Sequence, residues 1–276
     1  MSPTHRSSRK SVVRCMATVC AVVAATILAC SETTPTSAPV DRSGTFYGNT
    51  TSMEAGSGRA YVTLDAAGAP TELGVALTEA ALAKLPTTNA EYVFPLPGQA
   101  SVTAYQHAVI NWVPTGHEPA PYLVPHLDVH FYMISAQARN AITSADPAYA
   151  TKLARQPTAS FLPAGYVMGT GMQRMGMHWS DPASPELSGQ PFTSTYLYGS
   201  YDGKITFVEP MIAKSYLDAK PALAVRPVKL PQQSSTTGYQ ATAYSTVYDA
   251  TKTEFRIALV NLVPVVAQLS ASRAAP

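Results

Sequence analysis

Residues 124–135, VPHLDVHFYMIS, alternate ionisable and apolar side chains over most of their length. Successive side chains of a strand point to opposite faces of the sheet, so a strand would place His126, Asp128 and His130 on one face. The opposite face would carry Leu127, Val129, Phe131 and Met133. A helix is the competing interpretation, because His126 and His130 would then be neighbours one turn apart. The unbroken alternation and the β-favouring residue types predict the strand.

Turn signals elsewhere in the chain predict three antiparallel hairpins. They lie in the segments YVTLDAAGAPTELGVAL (61–77), TYLYGSYDGKITFVEPM (195–211) and ATAYSTVYDATKTEFRIALVNLV (241–263). Asp202-Gly203 is a strong turn signal, because this dipeptide accepts the positive φ angles of tight hairpins. Short helices are predicted after the capping residue Thr78 and at 135–142, 148–155 and 212–219. The predicted fold class is mainly β (α+β), an antiparallel sheet or barrel-like β domain with a few short helices.

The first thirty residues have the composition of a targeting segment. A basic start precedes an apolar run at 15–30, which is shorter than the roughly 20 residues that span a bilayer. The run ends in ILAC, which resembles the lipobox of bacterial lipoproteins, with Cys30 as the lipidated residue. A secretory signal cut near Ala29 is the alternative. Either interpretation predicts export, and the lipid on Cys30 predicts a membrane-anchored envelope protein on the periplasmic or extracellular face.

The predicted organisation is a lipoprotein-type signal peptide at 1–30, a flexible tether at 31–44 and a single β-rich domain at 45–276. The tether contains TTPTSAPVDRSG, a polar, Pro-containing segment without apolar periodicity. Charged residues make up only 13% of the chain, beside 23 prolines and 15 tyrosines, which favours short strands joined by loops.

Composition also excludes several classes of function. All three cysteines lie in the leader, which leaves the rest of the chain without disulfides, zinc-thiolate sites or cysteine nucleophiles. Outside the leader, the chain has no cluster of lysine and arginine of the kind that predicts nucleic-acid binding. The chain has no GxSxG nucleophile motif, no P-loop and no dinucleotide-binding signature.

Histidine and carboxylate residues point instead to a metal site. The candidate ligands are His126, Asp128, His130, His178 and Glu209. Neighbours at i,i+2 on a strand are about 6.6 Å apart and can share an ion, whereas i,i+4 residues are about 13 Å apart. A straight strand therefore predicts that Asp128 joins one histidine as a ligand or orients it. Zinc suits these ligands, and copper and iron stay open.

Further residues are candidates for supporting roles. Glu118 is the candidate general base, and His117, Tyr132 and Trp179 are candidates for a pocket or for contacts behind the ligands. The methionine-rich run MGTGMQRMGM (168–177) offers thioethers that suit Cu(I), or a flexible loop packed over a pocket. The alternative to a metal site is a hydrogen-bonded network in which Asp128 orients a histidine.

Four segments carry a resemblance to a known family. They are YVTLDAAGAPTELGVALTEAALAKLP, GHEPAPYLVPHLDVHFYMIS, MGMHWSD and YGSYDGKITFVEPMI. Together they resemble a bacterial family of secreted proteins of unknown function that includes a sigma-E-controlled Thermus protein. The resemblance covers most of residues 58–262. It implies a β-rich fold and a homo-oligomer, and it carries no established activity.

Two functions of different classes follow. One is an envelope binding or assembly module in which the His/Asp/Glu cluster has a structural role. The other is a metal-dependent hydrolase or another metalloenzyme. An open coordination position separates them, because catalytic zinc keeps a water ligand and structural zinc is closed by protein ligands.

Overall fold

The computed structural model describes residues 41–268, which fold into two antiparallel sheets of seven strands each. The prediction of a mainly β fold is confirmed, and of the two arrangements left open the antiparallel sheet is the one formed. The signal peptide predicted at 1–30, the lipidation site Cys30 and the tether up to residue 40 lie outside the described residues.

The first sheet has the strand order β1-β3-β4-β14-β13-β12, with β2 paired to β3. Its strands are β1 (Gly44–Tyr47), β2 (Thr51–Met53), β3 (Gly56–Leu64), β4 (Pro70–Thr78), β12 (Ala224–Pro227), β13 (Gly238–Asp249) and β14 (Glu254–Val265). The second sheet has the order β5-β6-β7-β11-β10-β9-β8. Its strands are β5 (Ala90–Pro95), β6 (His107–Val113), β7 (His126–Tyr132), β8 (Val167–Met172), β9 (Gly176–Ser180), β10 (Ser194–Tyr201) and β11 (Lys204–Ala213).

The main hydrophobic core lies between the two sheets and draws side chains from both. The first sheet contributes Val62, Leu73, Val75, Ile257 and Leu259, and the second contributes Ile110, Leu127, Val129, Phe131 and Val208. Each fully buried aliphatic or aromatic side chain contributes roughly 1.5–3 kcal/mol before conformational entropy is subtracted. The strand predicted at 124–135 is confirmed as β7, because its apolar residues enter this core and its ionisable residues occupy the opposite face.

The three predicted hairpins are confirmed as β3–β4, β10–β11 and β13–β14. Asp202 and Gly203 have φ angles of 53° and 74°, which suit the tight turn between β10 and β11. Thr78 ends β4 and caps the helix α1 (Glu79–Ala83), where its hydroxyl accepts a hydrogen bond from the Ala81 amide.

The remaining helices are short, as predicted, and each is shorter than its predicted range. Helix α2 spans Ala136–Asn140, α3 spans Tyr149–Ala154 and α4 spans Lys214–Asp218. Ile212 and Ala213, predicted to begin the last helix, instead belong to β11, because they pair with Leu127 and His126 of β7. Within residues 41–268, no helix is long and apolar enough to cross a membrane.

A register shift in the β10–β11 hairpin places Ile205 and Phe207 on opposite faces of the second sheet. Ile205 pairs with Ser200, and Phe207 pairs with the adjacent Gly199, so Thr206 is an extra residue in β11. Glu209 therefore shares its face of the sheet with Phe207 and not with Ile205. Ile205 joins the core between the sheets, whereas Phe207 packs in a separate cluster on the outer face.

Candidate metal centre

Two groups of three ligating side chains lie on the outer face of the second sheet. The first triad is His117, His126 and Asp128, and the second triad is His130, His178 and Glu209. Within each triad the ligand atoms lie within 4.8 Å of one another. Each combination of two imidazoles and one carboxylate could hold a metal ion.

The first triad is centred on Asp128 of β7. His126 lies two residues earlier on the same strand, and its Nε2 is 3.1 Å from Asp128 Oδ1. His117 comes from the loop between β6 and β7, and its Nε2 is 3.7 Å from Asp128 Oδ2. His126 and Asp128 are buried, whereas the His117 side chain is 42% exposed. The triad therefore has two buried side chains and one side chain, His117, that faces solvent.

The second triad joins three strands. The pairs Phe207–Tyr132 and Met211–Asp128 set the register of β11 against β7, which places Glu209 opposite His130. His130 Nε2 is 3.5 Å from Glu209 Oε1, and His178 Nε2 of β9 is 3.6 Å from Glu209 Oε2.

A glycine makes room for the aromatic ring that packs against both histidines of the second triad. Gly199 of β10 lies between β9 and β11, paired with His178 on one side and with Phe207 on the other. A Cβ atom at Gly199 would overlap the ring of Phe207. That ring packs against His130 at 4.7 Å and against His178 at 5.2 Å between centroids. The absence of a side chain at residue 199 thus lets Phe207 hold both histidines of the second triad.

Backbone carbonyl groups orient three of the four histidines. The Nδ1 atoms of His117, His126 and His178 lie 2.8, 2.7 and 2.8 Å from the carbonyl oxygens of Glu118, Val124 and Thr170. A carbonyl oxygen only accepts, so Nδ1 carries a proton, and Nε2 has a free lone pair whenever the ring is neutral. Metal-binding histidines are held in this way, with the non-ligating nitrogen donating to a carbonyl or carboxylate.

Several buried polar atoms of the triads have no hydrogen-bond partner among the described residues. They are Nε2 of His126, Oδ1 of Asp128, both ring nitrogens of His130 and Oε2 of Glu209. An unsatisfied buried polar group costs about 1–3 kcal/mol, and a charged one costs more. A cation bound to the carboxylate oxygens and to the Nε2 atoms would satisfy all of these atoms except Nδ1 of His130.

Burial shifts the pKa values of the second triad so that the uncharged form of each side chain is favoured. Burial raises the pKa of Glu209 well above its usual value, and the negative charge of Asp128 raises it further. Burial lowers the pKa of His130 to about 3 and also lowers the pKa of His178. Two neutral imidazoles beside a carboxyl group are suitable metal ligands once the carboxyl proton leaves, which a divalent cation favours.

The first triad has the opposite electrostatic character. Burial acts to raise the pKa of Asp128, but the nearby nitrogens of His117 and His126 outweigh burial and hold the pKa below its usual value. The same contact with Asp128 raises the pKa of His117. Asp128 is therefore ionised, and a cation would compete with a proton for His117.

Both triads open into one cavity of about 580 Å³. Its lining includes ligands of the first triad (His117 and Asp128) and of the second (His178 and Glu209). Glu118, the predicted general base, also lines the cavity. Three protein ligands leave at least one coordination position of a tetrahedral zinc ion free, as in catalytic zinc sites.

The structure divides the predicted ligands between two sites. Asp128 groups with His126, and His130 groups with His178 and Glu209. His117, predicted only for a supporting role, completes the first triad. His107 lies outside both triads and stacks on Tyr132 at 4.8 Å between centroids.

Tyr132 and Trp179 were predicted to line a pocket or to contact the ligands from behind, and of the two only Tyr132 makes such a contact. Trp179 is buried in the core between the sheets, where its Nε1–H donates to Ser200 Oγ at 2.8 Å. It follows His178 in β9, so its side chain points to the opposite face of the sheet. Tyr132 is fully buried beside His130, on which it stacks at 5.6 Å between centroids. Neither residue is among those that line the cavity.

The sequence-based prediction missed a charged group at the cavity wall. Glu91 of β5 accepts hydrogen bonds from Arg139 and Arg174, and Asn111 of β6 lies beside it. The one sequence signal for this group is Asn111, a polar residue in β6 that pairs with Asp128 of β7. Arg139 lies outside any motif, and Arg174 lies in the methionine-rich run 168–177, whose predicted roles rest on its methionines.

The comparisons with known proteins give one family match. Residues 65–112 match the family model described as TTHB210-like, hypothetical protein TTHB210. The match runs from the β3–β4 turn to the end of β6 and stops before His117. The predicted resemblance to a family with a Thermus protein is confirmed for this segment, whereas sigma-E control and secretion stay predictions. No curated protein and no solved structure is detectably similar to the chain.

Proposed function

We propose that the protein is an exported, lipid-anchored metalloenzyme of the hydrolase type, with divalent zinc as the first candidate ion for both triads. The observation that carries this proposal is the cavity onto which both triads open. Two imidazoles and a carboxylate leave room for a water ligand, and the cavity gives a small molecule access to that position.

The surrounding residues suit metal-assisted hydrolysis. A zinc ion lowers the pKa of a bound water towards 7 and polarises a carbonyl or phosphoryl oxygen. Glu118 lines the cavity directly after His117, and its carbonyl orients the His117 ring. Its carboxylate would accept the proton of the attacking water, which is the role predicted for it from the sequence.

An envelope binding or assembly module is the second candidate function. The observation that favours it is the burial of four ligands, since His126 and His130 have no exposed area, Asp128 is 6% exposed and Glu209 is 2% exposed. Deep burial is typical of sites in which an ion stabilises the fold. In this case the ions would hold β7, β9 and β11 together, and a partner would bind elsewhere.

Cobalt substitution tests which of the two functions applies. Co²⁺ replaces zinc in such sites, and its visible absorption depends on the number and geometry of its ligands. We expect azide to shift the spectrum of the cobalt-loaded protein, because azide can enter an open position. The His178→Gln variant should show only the spectrum of the first triad. An unchanged spectrum at saturating azide would contradict the enzyme and support the module, and a protein that takes up no cobalt would contradict both.

A further inference from the structure

Two arginines and one glutamate form a charged group at the wall of the cavity. Arg174 donates from Nη1 to Glu91 Oε1 at 3.0 Å and from Nη2 to Glu91 Oε2 at 2.8 Å. Arg139 donates from Nη2 to Glu91 Oε2 at 2.6 Å. Glu91 and Arg174 line the cavity, while Arg139 is only 3% exposed and lies behind them.

This group carries a net positive charge. Burial acts to raise the pKa of Glu91, but Arg139 and Arg174 outweigh burial and lower it, so Glu91 is ionised. One carboxylate therefore faces two guanidinium groups, and one positive charge remains. Arg174 uses two of the five N–H donors of its guanidinium on Glu91, which leaves three for another acceptor.

The charged group lies at a short distance from the first triad. Glu91, Asn111 and Asp128 are cross-strand partners on β5, β6 and β7. Neighbouring strands are about 4.8 Å apart, so the backbone of Glu91 is about 10 Å from that of Asp128. Asn111 lies between them, and its Oδ1 is buried without a hydrogen-bond partner among residues 41–268. A small molecule can therefore reach from Arg174 to the triad past an unsatisfied carbonyl group.

The rest of the lining is largely apolar. It includes Val113, Tyr122, Met172, Met175, Leu197 and Met211. A volume of about 580 Å³ falls within the range of about 300–1,000 Å³ typical of small-molecule sites. The cavity thus offers a cationic group, apolar walls and the two triads.

We propose that the ligand of this cavity is a small organic anion with an apolar body. Its carboxylate or other oxyanion binds the free donors of Arg174, and its body packs on the methionine and leucine side chains. The opposite end then reaches the triads, where the proposed hydrolysis takes place. Arg139 acts as a positioning residue, because it holds Glu91 and, through Glu91, the guanidinium of Arg174. This assignment of the substrate class rests on the proposed function.

Calorimetric titration of the purified full-length protein with benzoate and with benzamide tests the assignment. The two probes have the same ring, and only benzoate carries a charge. We expect benzoate to bind at least tenfold more tightly than benzamide. In the Arg174→Gln variant we expect benzoate binding to fall about tenfold or more, the value of one lost charge-assisted contact, while benzamide binding and zinc content stay unchanged.

Arg155→Gln is the matched control, because Arg155 pairs with the exposed Asp202 and does not line the cavity. It should bind benzoate as the wild type does. Equal benzoate binding by the wild type and Arg174→Gln would overturn the assignment and place the anion on the metal ions. Equal binding of benzoate and benzamide would overturn it as well. The titration is repeated on chelated protein, so a failure of metal binding is distinguished from a failure of anion recognition.

Discussion

Asp128 lies midway between two histidines on β7 but groups with only one of them. His126 Nε2 is 3.1 Å from its carboxylate, whereas His130 turns to Glu209. This division follows from strand geometry, since residues at i and i+4 are about 13 Å apart along a straight strand and cannot share one ion directly. The alternation in the sequence predicted that Asp128 would join one histidine. It did not predict that the other histidine would find a second carboxylate.

Burial makes the charge state of Glu209 sensitive to a bound cation. Its pKa is raised by burial, so in metal-free protein the folded state holds its proton more tightly than the unfolded state does. The stabilisation from this proton is complete below the unfolded pKa and is lost as pH rises through the folded pKa. At higher pH the ionised form is a buried, uncompensated charge.

We therefore predict opposite effects of Glu209→Gln on the metal-free and zinc-bound protein. At neutral pH the variant should stabilise chelated protein by about 1 kcal/mol, or about 2–4 °C in melting temperature, because it removes the buried carboxylate. It should also remove most of the stabilisation that zinc gives through the second triad. Differential scanning calorimetry with chelator and with excess zinc measures both effects. A variant that zinc stabilises as much as the wild type would contradict the role of Glu209 as a ligand.

At the scale of secondary-structure elements, the pairing of strands determines which residues meet in the second triad. His130, Glu209 and His178 belong to β7, β11 and β9, and the two histidines are 48 residues apart in the sequence. Strands β7 and β11 and the hairpin turn at Asp202-Gly203 could be predicted locally, because alternation and turn residues are local signals, whereas β9 was not predicted. The order of the strands, the register of β11 on β7 and the extra residue Thr206 depend on packing across the sheet. For this reason the sequence supplied the candidate ligands and could not group them.

Gly199→Ala tests how the strands position this triad. The added methyl group would overlap Phe207, whose ring packs on both His130 and His178. We predict a loss of about 1–3 kcal/mol in the free energy of unfolding, as for overpacked cores, and the loss of one of two metal ions. Denaturant unfolding and metal analysis provide the measurements. Gly98→Ala is the control, because a Cβ at Gly98 meets no atom within 4 Å. Retention of both ions in Gly199→Ala would show that the ring is not required.

At the scale of the whole molecule, the chain combines a predicted envelope anchor with a β domain in which two triads that could hold metal ions open into one cavity. The leader could be interpreted from sequence, because signal peptides are defined by local charge and hydropathy. The arginine group at the cavity wall could not be predicted, since Arg139 and Arg174 are 48 and 83 residues from Glu91 along the chain. This group forms only when helix α2 and the turn between β8 and β9 meet strand β5.

Cys30→Ser tests the proposed location of the molecule. The wild-type protein expressed in a bacterial host should fractionate with membranes and lose Cys30 as a free thiol, because a lipid modifies it. The variant should appear in the soluble exported fraction or keep its leader. Membrane fractionation and mass spectrometry of the N-terminal peptide distinguish these forms. Unmodified Cys30 in a membrane-associated wild-type protein would contradict the anchor.

Metal content tests the central claim most directly. The soluble chain without residues 1–30, purified without chelator and without a histidine tag, is analysed by inductively coupled plasma mass spectrometry. We predict two zinc or other transition-metal ions per chain in the wild type, one in His126→Gln, one in His178→Gln and none in the double variant. His107→Gln is the control and should keep both ions, because His107 lies outside the triads. Equal metal content in all folded variants, or none in the wild type, would contradict the metal sites and identify the triads as buried polar networks.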